Sequence, residues 1–264
     1  MRIVITGASR GLGAALARAF ADRFPEATLL LIERRAAALD AFAAALAVGR
    51  PALRCEVAAV DVTDRHALSE VCDRFAGRHG APDIVIANAG ISAGTVNGVA
   101  GDREVFRRII DVNLLAMVDT FAPFVAPMRA AGGGTLVGIG SVAGVRGLPG
   151  AEAYCASKAA AMTYLESLRV ELVGSGIAVV TIAPGYVRSD MTAGNRYPMP
   201  FLMPADDFAR AACRAILRGR RYVVIPWQMA WVARLLKLLP DGVYDRLLAR
   251  APRKARIEGG ADVL

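Results

Sequence analysis

A tyrosine and a lysine four residues apart, in Tyr154-Cys155-Ala156-Ser157-Lys158, share one face of any helix that carries them. An ammonium beside a phenol favours the phenolate and lowers the phenol pKa from ~10 toward neutrality. Such a tyrosine can act as general acid or base. Pairs of this kind are usually ordinary surface pairs. Here, however, arginine has nearly displaced lysine, with 29 Arg against 3 Lys, and Lys158 is the sole lysine before Lys237. Where only positive charge matters this chain uses arginine, so the isolated lysine points to chemistry. Ser141 ends an apolar, strand-like run, at the end of a strand where open α/β sheets bind ligands.

A second constellation lies at the start of the chain. Thr6-Gly7-Ala8-Ser9-Arg10-Gly11-Leu12-Gly13 has the pattern G-x3-G-x-G between a β-branched run and a helical one. Glycines there let the backbone approach a pyrophosphate, and the following helix N-terminus faces the anion. A glycine turn without a ligand is the plain alternative, but the position in a first strand-to-helix turn favours a nucleotide. Gly7, Ser9, Arg10, Gly11, Leu12 and Gly13 are the candidate contacts. Glu33 ends the second strand-like run and could accept from an adenosine ribose 2′-OH while repelling a 2′-phosphate. Arg10 and Arg34 argue the other way, since guanidinium pairs well with phosphate. The carboxylate tips the reading toward NAD and leaves NADP open. Asp61, with Val62 beside it, has two readings: a contact to the adenine amino group, or a turn residue in Asp61-Val62-Thr63-Asp64.

Elements must place these groups, and the hydrophobic pattern supplies them. Strand-like and helix-like segments alternate from residue 2 onward. Strands are expected at 2–6, 29–32, up to 60, 83–87, 135–139, 177–182 and 222–225. Helices are expected at 12–24, up to 48, from a Thr63 N-cap to 75, 102–129 with a bend near Pro123 and Pro127, 151–173 and 204–217. Strands apolar throughout and separated by helices predict a parallel sheet covered on both faces. The expected fold is therefore α/β: a doubly wound, Rossmann-type sheet of about seven strands over residues 1–225. Residues 226–264 are expected to form a C-terminal amphipathic helical extension and basic tail.

Composition narrows the function classes. The chain has 264 residues, 55% hydrophobic and 21% charged, an ordinary globular balance long enough to bury its own core. Residues 218–256 hold ten basic and two acidic residues, matching the whole formal charge of +8. The body is thus neutral, and a nucleic-acid partner is not expected. Cys55, Cys72, Cys155 and Cys213 form no metal-ligand spacing, so no metal site is expected and a reducing cytoplasm fits. Met1-Arg2 runs directly into the first strand, so no leader peptide is expected. No uninterrupted apolar run reaches the ~18 residues of a spanning helix.

Taken in order, the motifs resemble the short-chain dehydrogenase/reductase family of the ~250-residue type over residues 2–225. They are the Thr6–Gly13 turn, Asn88-Ala89-Gly90, Asn113, Ser141, Tyr154 with Lys158, and Pro184-Gly185. The resemblance implies that Tyr154 moves a proton to or from the substrate oxygen and that Ser141 hydrogen-bonds that oxygen. It implies that Lys158 binds nicotinamide-ribose hydroxyls, and that Asn113 holds a water by its main-chain carbonyl. Asn88, Ala89 and Gly90 would support the sheet and contact the adenosine ribose. Pro184, Gly185, Val187 and Ser189 would lie against the nicotinamide. Two positions depart from the family pattern. Ala87 stands for the first Asn of Asn-Asn-Ala-Gly, and Ser189 stands where Thr is common. The implied activity is hydride transfer between NAD(P) and a carbonyl/alcohol pair. A non-catalytic NAD(P)-binding redox sensor is the alternative, against which the intact Ser141, Tyr154 and Lys158 speak. An epimerase or dehydratase of the extended relatives is disfavoured by the short chain beyond the sixth strand.

The expected substrate side carries Ile91, Val142, Val145, Leu148, Tyr186, Met191, Tyr197, Met199, Phe201 and Met203, which suits a bulky apolar small molecule. The 185–203 stretch reads as a lid; Arg146 and Arg188 could read an acidic substrate tail, but read first as solvated charges. In the extension, Met229, Val232, Leu235, Leu236 and Leu239 fall at helical spacing. That helix either packs on its own domain or across a homo-oligomer contact, or makes a peripheral membrane contact through Trp227, Trp231 and the basic residues.

Overall fold

The first strand, β1 (Arg2–Thr6), is β-branched and apolar, and its last four residues are buried. Side chains alternate across a strand, so Ile3 and Ile5 enter one apolar layer and Val4 the other. That two-faced pattern demands helices on both sides, and the computed structural model, which describes residues 1–195 and 198–256, provides them. After β1 come α1 (Gly11–Arg23), β2 (Thr28–Glu33), α2 (Ala36–Ala47), β3 (Arg54–Ala59), α3 (Arg65–His79) and β4 (Ile84–Ala87). Then follow α4 (Asp102–Ile110), α5 (Ala116–Ala130), β5 (Gly134–Ile139), α6 (Glu152–Glu171) and β6 (Ile177–Pro184). The chain goes on through α7 (Asp190–Ala193), α8 (Ala205–Leu217), β7 (Tyr222–Ile225), α9 (Gln228–Leu238) and α10 (Asp241–Leu248).

The sheet runs β3-β2-β1-β4-β5-β6-β7 with every pairing parallel, the doubly wound architecture the pattern predicts. Phe20 of α1, Leu39 of α2 and Phe208 of α8 cover one face. Phe75 of α3, Phe121 and Phe124 of α5 and Leu165 of α6 cover the other. The chain winds outward from β1 to β3, then returns to place β4 on the other side of β1. That reversal leaves a crevice beyond the carboxyl ends of β1 and β4, where doubly wound folds bind ligands.

Two local expectations change. Asp64, not Thr63, caps α3, its carboxylate accepting from the Ala67 N–H at 3.1 Å. Asp61 has already captured the Thr63 N–H at 3.0 Å and its hydroxyl at 2.8 Å, so the cap passes to the next acceptor. The helix expected to bend at Pro123 and Pro127 runs through both prolines. Its winding changes upstream instead, in a π-helical turn at Asp111–Leu115 that carries Asn113. By length and composition Asp102–Ala130 could cross a membrane. Its apolar residues Met117, Phe121, Phe124 and Met128 are buried beneath the sheet.

The extension packs by a narrower stripe than its leucines suggested. Met229 and Ala233 of α9 are buried, whereas Leu235 is 64% exposed. The expectation that Arg146 is a solvated charge is overturned. Its guanidinium donates to the carbonyls of Leu236 and Leu239, both at 2.6 Å, where α9 ends and its carbonyls lack helical partners. It also pairs with Asp241 at 2.6 Å and lies 3.9 Å over the Tyr244 ring. Truncation after Ile225 would strip all these partners from Arg146. We expect a melting temperature lowered by several degrees and a broadened transition, read by circular dichroism. An unchanged transition would show the extension to be a mere appendage.

Candidate active site

A cleft of about 460 Å³ lies at the crevice. At one end the turn after β1 sets Gly7 and Gly11 at φ of +65° and +53°, a left-handed region that favours glycine. A Cβ on Gly13 would sit 2.0 Å from the Gly7 carbonyl oxygen, so only glycine lets α1 approach the turn this closely. Gly13 itself does not line the cleft. The first turn of α1 holds no acidic residue, so its N-terminal N–H groups face the cleft free of like charge from their own helix. Asn88 fastens β4 to this turn: its Nδ2 donates to the Thr6 carbonyl at 2.9 Å and to that of Gly7 at 3.1 Å. The Asn88 and Ala89 N–H groups both donate to the Thr6 hydroxyl at 3.1 Å. A cradle of this kind fits the pyrophosphate of a dinucleotide.

Gly7, Arg10, Gly11, Leu12, Glu33, Arg34, Asp61, Val62, Asn88, Ala89 and Gly90 line this half. Ser9 stands behind it, its hydroxyl donating to one Glu33 oxygen at 3.2 Å while the Arg34 N–H donates to the other at 3.0 Å. Glu33 is thus oriented by the Ser9 hydroxyl of the glycine turn and by the Arg34 backbone N–H. Burial alone would raise the Asp61 pKa. The N–H and hydroxyl of Thr63 and the Arg108 guanidinium, 2.6 Å away, hold it below the usual carboxylate range. Arg108, from α4, lines the cleft but carries no sequence signal, because helical arginines usually face solvent. Val60, Arg35, Ser92, Gly140 and Thr192 are likewise lining residues the motifs did not announce.

At the other end, Ser141, Tyr154, Lys158, Pro184, Gly185, Val187 and Ser189 line the same cleft. Lys158 is buried at 4% exposure, and its ammonium donates to the Ile139 carbonyl at 2.8 Å. Burial lowers its pKa to about 8. Its nitrogen lies 6.0 Å from the centre of the Tyr154 ring. Burial opposes the pull toward phenolate that this ammonium was expected to exert. Burial raises the Tyr154 pKa, and the opposing influence is a hydrogen bond with Ser141. Asn113 does not line the cleft. Its fully buried side chain accepts from the Ile91 N–H at 2.8 Å and donates to the Ile91 carbonyl at 3.0 Å and the Ser157 hydroxyl at 2.9 Å. It therefore clamps the loop after β4 to the helix that carries Tyr154 and Lys158.

Ile91 and Met191 line the cleft among the expected substrate-side residues, and Tyr197 lies outside the described residues. The 185–203 segment is clasped at its base, where the Arg188 N–H donates to the Met203 carbonyl at 2.9 Å and the Met203 N–H to the Tyr186 carbonyl at 3.1 Å. Among the described residues no cluster of metal-ligating side chains occurs.

Fold and cleft together define an oxidoreductase of the doubly wound, dinucleotide-binding class. The family model of the short chain dehydrogenases matches residues 1–199, and the chain belongs to that family. An uncharacterized oxidoreductase of Myxococcus xanthus is 40% identical, over 94% of this chain and 96% of its own. The cis-4-hydroxycyclohexanecarboxylate dehydrogenase of Sinomonas cyclohexanicum is 33% identical over 80% of each chain. Among solved structures, an alcohol dehydrogenase of the archaeon Thermococcus sibiricus, complexed with 5-hydroxy-NADP, aligns with a TM-score of 0.72 and 26% identity over 86% of this chain and 97% of its own.

Proposed function

We propose that the chain moves a hydride between NAD(P) and a carbonyl/secondary-alcohol pair on a bulky, largely apolar small molecule, with Tyr154 as general acid and base. The observation that carries this reading is the meeting of Ser141, Tyr154 and Lys158 at one end of a cleft whose other end is the glycine cradle. When bound, the nicotinamide donates or accepts the hydride. Ser141 accepts from the Ala143 N–H at 3.1 Å, which orients its hydroxyl to donate toward the substrate oxygen. Tyr154 delivers its phenolic proton to that oxygen in reduction and takes it back in oxidation. Lys158 has three N–H groups and uses one on Ile139, leaving two for ribose hydroxyls. Asn113 offers its main-chain carbonyl to a water that passes protons toward Lys158, and its clamped side chain holds that position. Apolar Ile91 and Met191 suit an aliphatic or aromatic substrate body, in keeping with the ring alcohol named for the Sinomonas relative. A panel of ketones and alcohols with NADH and NADPH, followed at the nicotinamide absorbance with Tyr154→Phe as control, tests the reading. No turnover with any pair would overturn it.

NAD is the proposed preference. Glu33 is presented at the ribose end, while Arg34 lies 3.8 Å from Asp61 and Arg10 lies 3.7 Å from Asp190, so both arginines already face carboxylates. Glu33→Ala is expected to raise the NADP/NAD ratio of kcat/KM by about tenfold, by removing repulsion with a 2′-phosphate. An unchanged ratio would show that Glu33 serves only its bond to Ser9. The chain is further proposed to work in a reducing cytoplasm, which its four free thiols support. The outward face of α9, with Trp231 and Leu235 exposed beside Trp227, supports self-association through this helix. Sedimentation of the full chain and of Trp231→Glu tests it, and co-sedimentation with anionic vesicles tests a bilayer in its place.

A further inference from the structure

The basic tail crosses back along the loop after β4, beside Tyr154. Its backbone pairs with the loop after β4, the Gly94 N–H donating to the Ala255 carbonyl at 2.8 Å. A Cβ at Gly94 would lie 2.3 Å from the Lys254 carbonyl oxygen, so the two backbones meet where only glycine fits. Arg256 locks the crossing by a forked bond to the Asp102 carboxylate, at 2.8 and 2.9 Å. Asp102 is buried, which makes this anchor stronger than a surface pair. The strap thereby holds Lys254 half-buried, with its ammonium 6.0 Å from the centre of the Tyr154 ring, the same separation as that of Lys158.

Two ammonium groups thus flank one phenol. The surrounding carboxylates are committed elsewhere: Asp102 to Arg256, Glu152 to the Asn97 N–H, and Asp241 to Arg146. The ionisable neighbour of Lys254 is the Cys155 thiol, whose own pKa burial raises, so it stays neutral near pH 7. Lys158 lines the cleft and Lys254 does not, but both stand 6.0 Å from the Tyr154 ring at the cleft's edge, and positive charge concentrated there attracts an anion. A second polar group there also lacks a partner. The Ser92 hydroxyl oxygen is buried, lines the cleft and forms no hydrogen bond among the described residues.

We propose that Lys254, presented by the strap, together with Ser92, forms a subsite for a carboxylate on the carbonyl substrate. This rests on the hydride-transfer reading above and names the acidic group its apolar substrate carries. Burial depresses the Lys254 pKa, as expected of an ammonium still lacking its counter-charge.

The test sets aryl oxo acids (benzoylformate, benzoylacetate and benzoylpropionate) against their methyl esters. For at least one pair, the wild-type ratio of kcat/KM for acid over ester should fall about tenfold or more in Lys254→Met and be largely retained in Lys254→Arg. Ser92→Ala should lower the same ratio by a smaller factor. An unchanged ratio in Lys254→Met overturns the proposal. So does an equal loss on acid and ester, because Lys254 would then be acting on Tyr154 or on the strap. Thermal shift in the presence of NAD or NADP gives a reading independent of turnover. The acids should stabilise the wild type more than the esters do, and Lys254→Met should abolish the difference. A wild type that binds both alike overturns the subsite. Carboxylate-selective binding without turnover would instead count against the hydride-transfer reading alone.

Discussion

Replacing Tyr154 by phenylalanine is expected to lower turnover by about 10²–10⁴-fold while cofactor affinity changes little. The substitution keeps the ring, and hence the packing, and removes only the proton. Burial holds the phenol pKa above its ordinary value, so the group is protonated at neutral pH. That state serves reduction, where a proton must be given. Oxidation needs the phenolate, so kcat for the alcohol should climb with pH above neutrality while kcat for the ketone does not. Rapid-mixing turnover and cofactor fluorescence titration check the two halves of the result. A variant retaining more than a tenth of wild-type turnover would remove Tyr154 from the chemistry.

Lys158→Met is expected to lose activity on a similar scale and yet to be more stable than the wild type. The folded pKa of about 8 lies below the ordinary 10.5, so the unfolded chain binds this proton more tightly. With the ammonium charged at pH 7, the difference opposes folding by about 3 kcal/mol. The lost bond to Ile139 returns about 1 kcal/mol of that. A melting temperature a few degrees higher at pH 7 follows for a chain of this size. The sign fixes a second signature. Wild-type stability should rise between pH 8 and 10.5 as the folded lysine sheds its proton, and the variant should lack that rise. Calorimetry across this range reads both. Lys158→Arg should be as inactive as the methionine variant, because a planar guanidinium cannot replace a compact ammonium in a buried slot. A destabilised methionine variant would mean that Lys158 is kept for packing rather than for chemistry.

What was legible in the sequence is what short-range pattern encodes. Runs such as Ile3-Val4-Ile5 and Leu29-Leu30-Leu31-Ile32 admit little but buried parallel strands, and they fell where expected. The glycines of the first turn announced themselves because their spacing is itself the device. What stayed hidden depends on partners far apart in the chain. Nothing in Ser9 says that it orients Glu33, 24 residues on. Nothing in Arg108 says that it reaches Asp61 across 47 residues. Arg146 looked like a solvated charge because its partners, the last carbonyls of α9, exist only once that helix has docked. The burial that raises the Tyr154 pKa depends likewise on groups distant in the chain. Spacing placed the lysine on the right face, but not the strand-end carbonyl that claims its ammonium.

The π turn at Asp111–Leu115 keeps the stretch between β4 and β5 from winding as one regular α-helix. A π turn accommodates one residue more than an α turn. Winding the same five residues as regular α-helix would improve the local backbone bonding. It would also swing everything upstream by about 100° relative to α5, the rotation each residue contributes. Val105 and Ile109, now buried against Ala153 of α6, would leave that contact while Phe121 and Phe124 kept theirs under the sheet. Asn113 would no longer face the loop it clamps. The irregular winding is therefore a phase adjustment that lets a single helical rod serve two differently oriented walls of the molecule.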